Sequence, residues 1–417
     1  MKKIIIKGNG ELSGILEVSG SKNSALPILV ATLIEKGEYI LSNIPDLLDI
    51  KTLFELLENH GLIIEKIDKN TYKIINNGIK NIIAPYEIVS KMRASFLVLG
   101  ALLSNKKKAK VSLPGGCAIG SRPVDLHIDS LKKLGAKIKI EHGYVEAEVK
   151  NIKGSEIKLK IPSVGATEHI ILVAVKAIGV TKIINAAREP EIVDLCNFLN
   201  KMGAQIKGAG ENIITIKGVE KLKATDYKII YDRIEAGTFI IASIISGSKI
   251  KIKNVNLKDL KGFKEILEKI GVVFEEKNGL LKINAKINKL KSVNIKTDFF
   301  PGFPTDLQAQ IMVLLSLIKD NSKITEKIFE NRFMHVPELN RMGTKINIVD
   351  NTAFIQGACK FTGAEVSATD LRAGASLVLG AMVAEGETKI NEIFHIERGY
   401  EKLISKLKNI GLNIEIK

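Results

Sequence analysis

Six times along this 417-residue chain a helical pattern ends at a glycine, and an alternating strand pattern follows. The six are Asn59-His60-Gly61-Leu62, Lys133-Leu134-Gly135-Ala136, Lys201-Met202-Gly203-Ala204, Lys269-Ile270-Gly271-Val272, Arg341-Met342-Gly343-Thr344 and Asn409-Ile410-Gly411-Leu412. Successive glycines are 74, 68, 68, 72 and 68 residues apart. A glycine in this position reads as the left-handed residue that closes a helix. Upstream of each lies an apolar helix rich in small residues, near 24–34, 94–103, 166–178, 236–245, 306–318 and 372–384. Each unit therefore reads as β-α-β-α-β-β. A helix that is apolar all round must be covered on every side. The period exceeds that of common solenoids. Six such units predict closed α/β domains, not an open rod.

The chain ends indicate how the units group. The sixth unit stops at Asn413-Ile414-Glu415-Ile416-Lys417 and lacks closing strands. The N-terminus supplies two strand patterns, Ile4-Ile5-Ile6-Lys7 and Gly14-Ile15-Leu16-Glu17-Val18. The expected domains are 22–230, from units one to three, and 1–21 plus 231–417, from units four to six. A chain that crosses twice between two domains is expected to form a hinge, with the ligand site in the interdomain cleft.

Composition narrows the function classes. The three cysteines, Cys117, Cys196 and Cys359, cannot all pair and have no metal-ligand spacing, so neither a disulfide framework nor a metal is expected. Cys196 and Cys359 read as packing residues. No apolar run is long enough for a signal-peptide core or a membrane span, which predicts a cytoplasmic protein with no membrane partner. The formal net charge is +16. Its lysines are spread along the chain without a dense block, and aromatic residues are few and not interleaved with them. Solvated surface lysine is the preferred reading over a nucleic-acid stripe. Arginine is different. Only eight of the 62 basic residues are arginine: Arg93, Arg122, Arg188, Arg233, Arg332, Arg341, Arg372 and Arg398. Such sparing use suggests planar, bidentate recognition of carboxylate or phosphate, with structural ion pairs as the alternative.

The unusual polar residues fall at two places in the repeat. One is the start of the apolar helix: Lys22-Asn23, Arg93, Ser163-Val164-Gly165, Asp232-Arg233, Asp306 and Asp370-Leu371-Arg372. The other is the loop after the following strand: Gly116-Cys117 to Arg122, Arg188-Glu189-Pro190-Glu191, Glu330-Asn331-Arg332 and Glu397-Arg398. Helix N-termini present free N–H groups and favour anions. Plainer readings stand beside this one. Asp232, Asp306 and Asp370 can be helix caps, Lys22-Asn23 a solvated cap, Ser163-Val164-Gly165 a turn, and His127 and His169 packing residues.

Several longer motifs carry a resemblance. They are Val18-Ser19-Gly20-Ser21-Lys22-Asn23-Ser24-Ala25-Leu26-Pro27, Leu113-Pro114-Gly115-Gly116-Cys117-Ala118-Ile119-Gly120-Ser121-Arg122-Pro123-Val124-Asp125-Leu126-His127, Ser163-Val164-Gly165-Ala166-Thr167-Glu168, Ala187-Arg188-Glu189-Pro190-Glu191, Gly302-Phe303-Pro304-Thr305-Asp306-Leu307-Gln308-Ala309-Gln310, Phe329-Glu330-Asn331-Arg332-Phe333-Met334-His335-Val336-Pro337-Glu338-Leu339 and Glu397-Arg398-Gly399-Tyr400. With these the chain resembles, over essentially its whole length, the enolpyruvyl transferase family of the type acting on UDP-N-acetylglucosamine. The resemblance implies two inside-out α/β barrels of three repeats each. It implies transfer of enolpyruvyl from phosphoenolpyruvate to the sugar 3′-hydroxyl, with release of phosphate, in the first committed step of peptidoglycan synthesis. Cell-wall growth, cell shape and division would depend on that step.

The site residues follow from the same resemblance. Lys22, Asn23, Cys117, Arg122, Arg372 and Arg398 would contact phosphoenolpyruvate. Asn23, Arg93, Arg122, Pro123, Val124, Asp125, Leu126, Ser163, Val164, Gly165, Asp306 and Ile328 would contact UDP-N-acetylglucosamine. Cys117 would be the general acid and the target of fosfomycin-type epoxides, Asp306 the acceptor of the hydroxyl proton, and Lys22 and Arg398 the remaining catalytic groups. No cofactor or metal is implied. One departure is Ile161, where some members carry a lysine near the nucleotide. The rival readings are a transferase acting on shikimate 3-phosphate, a nucleic-acid-binding α/β repeat protein and a catalytically silent paralogue.

Overall fold

The computed structural model describes residues 2–8, 10–115, 124–247 and 249–417. It contains six four-stranded sheets, one for each unit of the repeat, and two compact units of the chain hold three sheets each.

The plan of one repeat is clearest at residues 156–217. Strand Glu156–Lys158 runs parallel to Val180–Ile184, and the buried helix Val164–Ala174 connects them. The helix Pro190–Lys201 follows, and the hairpin Gln205–Lys207 and Ile213–Lys217 completes the sheet antiparallel to Val180–Ile184. Ile157, Ile183, Ile214 and Ile216 are buried while alternate residues on these strands face outward. The sheet thus covers helices with one face and meets solvent with the other.

Two kinds of helix alternate. The helices Lys22–Ala31, Val98–Lys106, Val164–Ala174, Arg233–Ile245, Gln308–Leu317 and Leu371–Val383 are buried nearly all round, and every residue of Arg233–Ile245 is buried. Two of them start later than their sequence patterns suggest. The 3-10 turns Arg93–Leu97 and Thr305–Leu307 come first and tighten the entry. The other helices are amphipathic. Lys261–Ile270 buries Phe263, Leu267 and Ile270, one stripe at helical spacing, and exposes charged residues.

All six repeat glycines have φ between 95° and 110°. Each also makes the same pair of bonds. The N–H of Gly271 donates to the Glu268 carbonyl and that of Val272 to the Leu267 carbonyl, and the other five turns repeat the pattern. This is the Schellman geometry. It turns the chain from amphipathic helix into strand at a fixed angle, six times.

The chain segments at the ends of each unit are used in its sheets. In the unit of residues 20–115 and 124–230, Tyr227–Lys228 runs parallel to Gly37–Ser42, so the last segment joins the first sheet. In the other unit, Ile4–Lys7 lies antiparallel between Glu387–Asn391 and Asn413–Ile416, while Gly14–Glu17 runs parallel to Ile250–Lys253. Each unit has its own apolar core.

Gly203 isolates the cost of the left-handed turn, because an added Cβ there meets nothing within 4 Å. Gly203→Ala is expected to lower stability by about 1–2 kcal/mol through backbone strain alone, read by urea unfolding. An unchanged midpoint and slope would show that the turn tolerates a side chain.

Candidate active site

The polar residues of the unit 20–230 gather where its buried helices begin. Ser21 caps the helix Lys22–Ala31, its Oγ accepting from Ser24 N at 3.3 Å. Lys22 follows at the first helical position, where the helix dipole opposes a cation. It is not a solvated cap. It is buried, and its Nζ lies 2.8 Å from Oδ2 of the equally buried Asp49. Asp49 sits on the apolar stripe of the helix Leu48–Asn59 with Ile50, Leu53, Leu56 and Leu57. An acid on that stripe is a signal the sequence carried and the residue reading passed over. Asn23 and Arg93 are half-buried, and Arg93 opens its 3-10 turn.

A second cluster joins two distant stretches. Ser163 caps the helix Val164–Ala174, accepting from Ala166 N at 3.3 Å, so it is more than a turn residue. Val124 precedes the helix Asp125–Lys133, with Asp125 exposed, Leu126 half-buried and His127 buried. The His127 and His169 rings meet Nδ1 to Nδ1 at 2.9 Å, edge-on to Phe96. A Cβ on Gly165 would lie 3.1 Å from His127 Cε1. The stretches 124–127 and 163–165 are therefore neighbours, and the first turn of a capped helix presents its N–H groups there. Glu168, Glu189 and Glu191 are buried nearby in sequence, and burial together with Glu191 and Glu189 holds the Glu168 carboxyl well above the usual range. Arg188 is half-buried, and Ile161 is exposed. Cys117, Arg122 and Pro123 lie outside the described residues.

In the other unit Asp306 is the centre. An Nη2 of Arg332 donates to Asp306 Oδ1 at 2.6 Å, and Nε of Arg372 lies 3.6 Å from the same oxygen. Both arginine side chains are 4% exposed while the Asp306 side chain is 31% exposed, so a half-buried carboxylate rests on two more deeply buried cations. Asp306 is not a helix cap. It sits inside the turn Thr305–Leu307, and the following helix has no side-chain cap. Asp232 and Asp370 are caps, each accepting two backbone N–H bonds at 2.8–3.1 Å. Arg372 packs over the Tyr400 ring with 5.5 Å to the centroid, and its Nε and Nη1 have no hydrogen-bond partner among the described residues. The Tyr400 hydroxyl meets Thr238 Oγ1 at 3.0 Å and accepts from Gln310 Nε2 at 3.1 Å. Gln310 also donates to the Asp306 carbonyl at 2.9 Å. Arg398 and Ile328 are half-buried.

The sequence pointed to the arginines but not to these pairings. Tyr400, Gln310 and the Arg332–Asp306 contact join residues 26 to 162 positions apart, which no local pattern encodes. Of the other singled-out residues, Arg341 donates from Nε to the Glu365 carbonyl at 3.2 Å. Cys196 is fully buried as a packing residue, whereas Cys359 is only half-buried, with its thiol donating to the Gln356 carbonyl at 3.2 Å. The difference is positional: Cys196 lies on a helix face turned to the core, Cys359 in the loop after a strand.

His335, three residues beyond Arg332, is buried, with Nε2 3.1 Å from Met312 Sδ. Burial pushes its imidazole down to about 4, against an ordinary 6.5. The folded state therefore holds His335 neutral while the unfolded chain binds a proton below 6.5. Stability from this residue is full above that value and is lost as pH falls toward 4. His335→Gln is expected to show a shallower loss of melting temperature between pH 7 and pH 5 than the native chain. Equal slopes would mean that His335 does not titrate differently on unfolding.

Comparison with known proteins places this arrangement. A family model described as EPSP synthase (3-phosphoshikimate 1-carboxyvinyltransferase) matches residues 6–407. The chain is 50% identical over 412 residues to UDP-N-acetylglucosamine 1-carboxyvinyltransferase 1 of Caldanaerobacter subterraneus subsp. tengcongensis, covering 99% of each chain. It is 48% identical over 416 residues to UDP-N-acetylglucosamine 1-carboxyvinyltransferase of Geotalea uraniireducens, again over 99% of each. Among solved structures, the enolpyruvyl transferase NikO from Streptomyces tendae superposes with a TM-score of 0.91 at 23% identity, over 100% of this chain and 99% of that one. EPSP synthase from Acinetobacter baumannii gives 0.78 at 20% identity, over 100% and 99%. Both share the fold, six repeats of one α/β unit. The chain belongs to the EPSP synthase-type enolpyruvyl transferases and, among them, to the UDP-N-acetylglucosamine 1-carboxyvinyltransferase family.

Proposed function

We propose that this chain transfers the enolpyruvyl group of phosphoenolpyruvate to the 3′-hydroxyl of UDP-N-acetylglucosamine and releases phosphate, as a cytoplasmic step of peptidoglycan synthesis. The observation that carries the reading is the half-buried carboxylate of Asp306 beside two buried arginine side chains, in a chain about half identical to relatives bearing that name.

The reaction asks for three things. The phosphate and carboxylate of phosphoenolpyruvate need several fixed cations, and we assign Lys22, Arg122, Arg372 and Arg398 to them, with Asn23 beside Lys22. The unpartnered donors on Arg372 suit an oxyanion. The sugar nucleotide needs groups for its diphosphate and base, assigned to Arg93, Arg122 to Leu126, Ser163 to Gly165 and Ile328. The N–H groups of the helix capped by Ser163 suit the diphosphate. The chemistry needs a proton donor and a proton acceptor. The 3′-oxygen bonds to C2 while the Cys117 thiol delivers its proton to C3 and Asp306 takes the hydroxyl proton. The tetrahedral ketal then loses phosphate from C2 and a proton from C3, which restores the double bond.

A transferase for shikimate 3-phosphate would share the fold, and the identity to named relatives favours UDP-N-acetylglucosamine. Among the described residues no helix is long and apolar enough to cross a membrane.

Phosphate release from phosphoenolpyruvate is expected with UDP-N-acetylglucosamine and not with shikimate 3-phosphate; the reverse preference would overturn the reading. Cys117→Ala and Asp306→Asn are each expected to slow release roughly 10²- to 10⁴-fold, the range for a general acid or base. Cys117→Asp should keep part of the activity and resist fosfomycin-type epoxides. Intact-mass spectrometry should show one adduct on the native chain and none on Cys117→Asp, and no adduct on the native chain would contradict the role of that thiol.

A further inference from the structure

We propose that Glu326 is a positioning residue that fixes the Asp306 turn and the Ile328 loop relative to one another. The proposal rests on the functional reading above and adds a residue to it.

Glu326 is 3% exposed and follows the strand Ser322–Thr325. Its carboxylate takes four hydrogen bonds, all from neutral donors. Oε1 accepts from Thr297 Oγ1 at 2.8 Å, from Ile328 N at 2.8 Å and from Phe329 N at 3.3 Å. Oε2 accepts from Thr305 Oγ1 at 2.9 Å. Thr297 Oγ1 in turn accepts from Lys327 N at 2.8 Å. One side chain therefore holds three stretches: the edge strand Asn294–Lys296 with Thr297, the turn Thr305–Leu307 and the backbone at 327–329.

Two of the three held stretches carry a residue assigned to the reaction or lead to its partner. Thr305 is bonded in sequence to Asp306. Ile328 is assigned to the nucleotide, and four residues beyond it Arg332 pairs with Asp306. Both the carboxylate and its guanidinium partner thus hang from segments anchored on Glu326. Backbone N–H groups in a partly buried loop need an acceptor, and an ionised carboxylate offers only acceptor sites. A glutamine would still accept at one oxygen, and its NH2 would donate to Thr305 Oγ1. An alanine would release both segments. Small displacements of reacting groups cost large factors in rate.

The test compares Glu326→Ala, Glu326→Gln and Thr305→Val in the full chain, by phosphate release at varied UDP-N-acetylglucosamine and by amide hydrogen exchange. Glu326→Ala is expected to lower kcat roughly 10- to 100-fold, to raise KM for the sugar nucleotide and to remove protection of the Ile328 and Phe329 amides. Thr305→Val should lower kcat alone and leave KM and that protection unchanged. Glu326→Gln should stay within about threefold of the native kcat, since it keeps both anchors. Native kcat and KM in Glu326→Ala would overturn the proposal. So would a Glu326→Gln variant as impaired as a loss of both anchors, or a Thr305→Val variant with native kcat. If Glu326→Ala does not fold, the other two variants decide. If the native chain shows no transfer at all, the functional reading fails, and amide exchange in Glu326→Ala alone decides the anchor.

Discussion

Six helices with no polar side dictate this architecture. Water cannot be left on any face of Arg233–Ile245 or Leu371–Val383, so each must be wrapped. A four-stranded sheet covers part of a helix and neighbouring helices cover the rest, and Gln308–Leu317 packs against both of those helices in its unit. Three repeats supply enough cover, with borrowed strands where a repeat is short: Tyr227–Lys228 in one unit, Ile4–Lys7 and Gly14–Glu17 in the other.

The same constraint locates the chemistry. These helices gather charged groups at their N-terminal ends, and a polar group in the body, such as Thr238, is hydrogen-bonded inside. At the N-terminal ends the backbone leaves N–H groups unpaired, and side chains there answer them: Ser21, Ser163, Asp232 and Asp370 as caps. Charged residues at these helix entries are then held by deeper partners. Lys22 is held by Asp49, and Asp306 by Arg332 and Arg372. Removing one member of a buried pair such as Lys22–Asp49 leaves the other charge without compensation, which typically costs about 3–5 kcal/mol. These groups are therefore fixed before any ligand arrives.

Much of this was legible in the sequence, and the boundary of legibility is physical. The glycines at 61, 135, 203, 271, 343 and 411 announced six helix ends because a left-handed residue is a local requirement. The apolar helices announced themselves by composition. The 3-10 entries at Arg93–Leu97 and Thr305–Leu307 did not, because their hydrogen bonds differ from helical ones by a single residue of offset. Asp306 read as a possible helix cap, and its place inside the turn Thr305–Leu307 and its contact with Arg332, 26 residues away, show that it is not one. Asp49 was visible as an acid on an apolar stripe, but its partner lies in another helix. Tyr400 and Gln310 stand in stretches that carried the resemblance, but their network with Thr238 forms through packing alone and no local pattern encodes it.

The transfer moves a three-carbon skeleton intact from one substrate to a sugar oxygen. Incubation with phosphoenolpyruvate labelled with 13C at C2, followed by NMR, tests it directly. The label is expected in an enol ether on the 3′-oxygen of UDP-N-acetylglucosamine. Label found only in free pyruvate, or on another acceptor, would contradict it.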